Sequence, residues 1–204
     1  MTAGTAPATS DRSDFRLIVL SGVKIGLVTA VSVIVYLAVW RMMAAGLARD
    51  LVESVVVLAA GTAVSFLPAQ WSVARHTEGI AAAAAIGLCG SVTFMVVDIV
   101  LLRPFKAYPW TWDALGGGST WWYLPIWWML ATFVAWQGGM LTAGRAAKGT
   151  TSLAGIAAPV LAAAVIVTAI ARLSGDRFVL PALAGGSFAV VLTVFAVVAV
   201  ARKG

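Results

Sequence analysis

The chain has 204 residues, 61% of them apolar and 11% charged, with a formal net charge of +6 and a mean hydropathy of +0.97. A soluble domain keeps roughly a quarter of its residues charged to cover its surface, so a solvated globule is excluded and an integral membrane protein is indicated. The 14 Lys and Arg are spread thinly between long apolar runs, which excludes a nucleic-acid-binding face and marks them as headgroup anchors.

Residues 1–14 are small and polar, with no apolar core before a cleavage motif, and read as a disordered tail and not a signal peptide. Beyond them, residues 15–204 read as one all-α domain, a polytopic bundle of six transmembrane helices with short loops. A helix needs about 20 apolar residues to cross about 30 Å of hydrocarbon at about 1.5 Å per residue. The first such run covers residues 15–40 and the second 51–69, with Arg41, Arg49 and Asp50 marking the turn between them. The third covers 80–102, after Arg75, His76 and Glu78, and the fourth 120–144, stopped by Arg145 and Lys148. The fifth covers 152–171 and the sixth 178–201, joined by a polar turn containing Asp176 and Arg177.

An even number of crossings puts both termini on one side. Arg12, Arg16, Arg75, Arg145, Lys148, Arg202 and Lys203 fall on that side, against Arg41, Arg49, Arg103, Lys106, Arg172 and Arg177 opposite. Charge alone decides little. The aromatic stretch from Tyr108 to Trp128 favours placing its own side outside, with both termini cytoplasmic in a bacterial inner membrane.

Lipid is as apolar as leucine, so helices in it associate through close backbone approach and a few polar contacts. Gly22 and Gly26 at GxxxG spacing, the alanines from Ala81 to Ala85, Gly61, Gly87, Gly90, Gly155, and the pairs Gly138-Gly139 and Gly185-Gly186 mark the expected contacts. Pro181 falls in a first turn, whereas Pro125 and Pro159 are expected to kink their helices.

Ionisable side chains in hydrocarbon each need a reason. Lys24 is an isolated intramembrane charge, within snorkelling reach of the headgroups on the N-terminal side. Glu53 opens the second helix and Asp98 closes the third, at similar depth near Arg41 and Arg103. Two readings of this charge cluster stand: an ion-paired network fastening the helix ends, with Asp98 meeting Arg103 or Arg41, or a shallow proton or cation site centred on Asp98. Of the nine tryptophans, Trp110, Trp112, Trp121, Trp122, Trp127 and Trp128 crowd together. They form an interfacial belt, an aromatic wall for a lipid, quinone or pigment, or a docking surface for another subunit.

One histidine and one cysteine exclude disulfides, thiolate metal sites and bis-histidine haem ligation within the chain. The sequence carries no Walker A or GxGxxG pattern and no Ser-His pair placed for catalysis. No catalytic residue, metal ligand or cofactor ligand is assigned, although a bound lipid, quinone or pigment is compatible. The expected partners are membrane lipids and other membrane subunits or further copies of the chain. The leading expectation is a non-catalytic subunit or stabilising component of a membrane complex; the alternatives are a small transporter or channel using Asp98 and Glu53, and a membrane enzyme with two carboxylates as acid and base.

Overall fold

A chain in hydrocarbon must satisfy its backbone polar groups internally, and a helix does so within one segment. The computed structural model describes residues 13–108, 123–146 and 152–201. Six helices follow in order: α1 (Phe15–Met42), α2 (Leu47–Trp71), α3 (Thr77–Val97), α4 (Tyr123–Ala146), α5 (Leu153–Leu173) and α6 (Leu180–Ala201). A π-helical turn, Asp98–Leu102, continues α3. There is no strand among the described residues.

Five of these helices, α1, α2, α3 with its π turn, α5 and α6, are long and apolar enough to cross a membrane. The fourth has 24 residues but falls short in hydropathy, because Trp127, Trp128, Trp136, Gln137 and the Gly138-Gly139 pair dilute its aliphatic content. The expected six helices are therefore present, while five carry the apolar signature of a span.

Helix ends depart from the apolar runs where polar residues extend a helix beyond its apolar body. Asp14, expected in the tail, is the N-cap of α1, its side chain accepting from the Leu17 N–H at 2.9 Å. Arg49 and Asp50 lie inside the first turns of α2 and not in a turn between helices. Pro125 is the third residue of α4, so the expected deep kink is replaced by a proline near a helix start, where it is tolerated. Pro159 does lie inside α5. Lacking an N–H, it leaves the Gly155 carbonyl without its usual donor, and Arg145 of α4 donates to that oxygen at 3.3 Å. Pro68 is a further proline inside a helix, fully buried in α2.

The register of the contacts fixes the topology. Arg41 reaches Lys106 and Ala107, 65 and 66 positions away, and a constant offset of 67 positions relates Gly22 to Cys89 and Gly26 to Thr93, so α1 and α3 run parallel. Gly87 meets Ala131 and Ala135, and Gly139 meets Ile80 and Ala83, which makes α3 and α4 antiparallel. Helices alternate in direction along the chain and the bundle ends on the side where it starts. Spatially, α1 and α3 form one flank, α5 and α6 the other, and α2 and α4 lie between, α2 touching every other helix.

Small residues bring the backbones together as their spacing suggests. A Cβ on Gly26 would come within 2.5 Å of Thr93, and one on Gly90 within 2.6 Å of Ile25. A Cβ on Gly138 would overlap the Ser65 carbonyl oxygen. Around these contacts Phe66, Leu141, Val160, Phe188 and Leu192 build the main core of α2, α4, α5 and α6. Gly138-Gly139 is thus a close crossing, whereas a Cβ on Gly186 would meet nothing within 4 Å.

Candidate functional site

The end of the bundle where α3 finishes carries the densest polar construction. The π turn is closed by the Arg103 N–H donating to the Asp98 carbonyl oxygen at 2.9 Å. The extra residue of a π turn returns the Arg103 side chain over Asp98, and its Nε donates to Oδ2 at 2.9 Å. Tyr108 Oη donates to Oδ1 at 2.5 Å, so both oxygens of a carboxylate only 2% exposed are engaged. Burial raises the Tyr108 phenol above the ordinary tyrosine range, and its hydrogen bond to Asp98 adds to the rise.

The chain then leaves this helix through a Schellman closure: Lys106 N–H donates to the Arg103 oxygen and Ala107 N–H to the Leu102 oxygen, both at 2.9 Å. Lys106 takes the left-handed conformation this requires, with φ 49°. Arg41, from the end of α1, caps the result, Nη2 donating to the carbonyl oxygens of Lys106 at 3.2 Å and Ala107 at 2.8 Å. Arg103 and Arg41 are the two cations expected to meet Asp98. Arg103 is the partner, and Arg41 holds backbone.

Glu53 is built separately. It is 2% exposed and lies one helical turn from Arg49, whose Nε is 3.6 Å from Oε1. That separation is an ion pair without a hydrogen bond, and both facing atoms are buried without a hydrogen-bond partner. Tyr36 of α1 also interacts with Glu53, and the Arg49 guanidinium lies over the Trp40 ring, 5.8 Å from its centroid. The four residues expected as one cluster, Glu53, Asp98, Arg41 and Arg103, therefore fall into distinct contacts, Asp98 pairing with Arg103 and Glu53 with Arg49. The reason is local: each acid finds a cation on its own helix or the turn that ends it. Among the described residues no three of His, Cys, Asp and Glu gather as metal ligands do.

Lys24 is exposed on α1, and its Nζ lies 5.8 Å from the centroid of Trp71, the last residue of α2. The cation thus reaches toward the end of the bundle where α1 begins, as snorkelling requires.

Of the aromatic residues, Trp110, Trp112, Trp121 and Trp122 lie outside the described residues. Trp127 and Trp128 stand on α4, 46% and 37% exposed. Trp128 donates its indole N–H to Met95 Sδ at 3.1 Å. Below it, Phe133 and Trp136 stack with centroids 5.8 Å apart. Together with Ala84 and Leu88 of α3 these rings wall an open, apolar groove of about 800 Å³. Trp136 extends the aromatic wall deeper along α4. A second apolar groove, of about 440 Å³, lies between α2 and α5.

Gln137 is a polar residue of the interior that is not among the expected site residues. Its Nε2 donates to Thr193 Oγ1 of α6 at 2.8 Å, in the interior of the bundle. A lone glutamine inside a long apolar run was the available signal. No protein-family model, curated protein or solved structure matches the chain.

Proposed function

We propose that the chain is a non-catalytic subunit or stabilising component of a larger membrane complex, crossing the membrane six times, with both termini cytoplasmic and the Asp98 end outside. The observation that carries this reading is the α3–α4 groove, an open apolar channel walled by Trp128, Phe133 and Trp136. Its helix α4 falls short of the hydropathy of a span yet leaves Trp127, Met129, Phe133 and Trp136 exposed. Aromatic side chains and methionine on a partly polar helix are the composition of a subunit contact, and the same wall suits the ring or chain of a bound lipid, quinone or pigment. The buried acid Asp98 is meanwhile neutralised within the chain, a construction that holds helix ends together.

Extraction from the native membrane into nanodiscs, followed by native mass spectrometry, tests this reading. A stoichiometric companion is expected, with its retention reduced at least about tenfold by a Trp128→Ala, Trp136→Ala double variant, equivalent to about 1.4 kcal/mol. A lone chain or a homo-oligomer overturns it. One observation favours a transport reading instead: Glu53 Oε1 and Arg49 Nε face each other as an ion pair without a hydrogen bond, which makes Glu53, and not the fully engaged Asp98, the acid that exchanges its partner for a proton or cation. Loss of liposome flux in Glu53→Gln, with Asp98→Asn active, is the result that reading expects.

A further inference from the structure

Three helices of the bundle run in the same direction and pack on one another: α2, α4 and α6. Gly61 of α2 meets Phe188 of α6, and Gly185 of α6 meets Val57 of α2. Carried along parallel helices, that register sets Ser65 level with Thr193. Gly138 of α4 abuts the backbone of Ser65, and its neighbour Gln137 bonds to Thr193. Ser65, Gln137 and Thr193 therefore share one level, past the midpoint of all three helices, and Ser65 and Gln137 are 0% and 1% exposed.

The hydrogen bonds at this level do not close. Thr193 Oγ1 gives its own proton to the Ala189 carbonyl at 2.8 Å, so toward Gln137 it can only accept. That fixes the amide with Nε2 toward α6 and leaves Oε1, a buried acceptor, with no donor. Ser65 is the complement. Thr62, Thr142 and Thr193 on the same three helices each return their hydroxyl proton to the carbonyl four residues back, whereas Ser65 Oγ has no partner. A donor and an acceptor, both buried and without partners, thus lie at the same level of the core, where buried polar groups are ordinarily satisfied.

We infer that this level of the α2–α4–α6 core binds one water molecule, which accepts from Ser65 Oγ and donates to Gln137 Oε1. The backbones of α2 and α4 touch where Gly138 meets Ser65, which favours a guest as small as water. A charged one is disfavoured, since Glu53 and Asp98, the buried charges among the described residues, belong to the opposite end of the bundle. A water bonded to otherwise unsatisfied groups is a regular element of protein interiors.

The test uses the whole chain in nanodiscs. Water-selective magnetisation transfer is expected to reach the Gln137 side-chain amide, in a region otherwise shielded from solvent. In thermal unfolding, Ser65→Ala is expected to lower Tm, because the water loses a partner and Gln137 is orphaned. Adding Ser65→Ala to Gln137→Leu is expected to cost much less than Ser65→Ala alone. If Ser65→Ala leaves Tm unchanged or raises it, the hydroxyl had no partner and the inference fails. If the two substitutions are coupled but no water signal reaches Gln137, the side chains bond directly and the inference also fails.

Discussion

Three helix ends share one closing device with different residues at its left-handed position. After α2 the residue is Val73, after the π turn Lys106, and after α5 Gly175, with φ of 50°, 49° and 88°. At each, the next residue's N–H reaches back five positions, as in Ala74 to the Ala69 oxygen at 2.9 Å. Glycine adopts this conformation without strain, and a β-branched valine does so least readily. Val73→Gly is therefore expected to stabilise the bundle by about 1 kcal/mol, read as a higher Tm in detergent. Gly138 is the opposite case: Gly138→Ala forces α4 away from Ser65 and is expected to cost about 3 kcal/mol, whereas Gly186→Ala, with open space around it, is expected to be neutral or stabilising by up to about 1 kcal/mol through helix propensity. Tyr108 supplies a pH dependence. An unfolded tyrosine ionises near 10.0 while the folded one holds its proton above that, so the folded chain binds more protons there and loses stability as pH rises past 10. Tyr108→Phe is expected to lower stability by about 2 kcal/mol near neutrality and to flatten the alkaline decline; an unchanged pH profile in unfolding scans refutes this role.

For the helices, the apolar runs revealed number, order and approximate length, because a span's length is set by hydrocarbon thickness and little else. What they concealed is where polar residues continue a helix. Arg49 and Asp50 look like a turn by hydropathy, yet Arg49 pairs with Glu53 four residues on, a spacing that needs both inside one helix. The π turn at Asp98–Leu102 was equally hidden, because it depends on Arg103 and Tyr108 returning to Asp98 after the chain has turned. Pairing of Asp98 with Arg103 was legible from proximity in sequence; engagement by Tyr108, ten positions away, was not. The status of α4 as a span is decided by the sides on which its neighbours emerge. In a Cys89→Ala background, single cysteines at Glu78 and Ser152 are expected to react with an impermeant maleimide from the same side. Labelling from opposite sides shows that α4 does not cross.

At the level of the whole bundle, close packing between α1 and α3 was legible in Gly22, Gly26 and Gly90, because small residues at helical spacing have one main use in lipid. The layering around α2, by contrast, depends on which helices share a register, and no single run carries that information. The shared direction of α2, α4 and α6 has an electrostatic consequence. Peptide dipoles in three parallel, mutually packed helices add, gathering partial positive charge at their N-terminal ends and negative charge at the other. Asp50 and Glu53 lie in the opening turns of α2, and Arg145 lies in the last turn of α4, each sign opposite the helix pole beside it. The dipoles of α2, α4 and α6 thus point one way and those of α1, α3 and α5 the other, and the positive pole of the α2–α4–α6 trio lies at the end of the bundle where Asp50 and Glu53 stand.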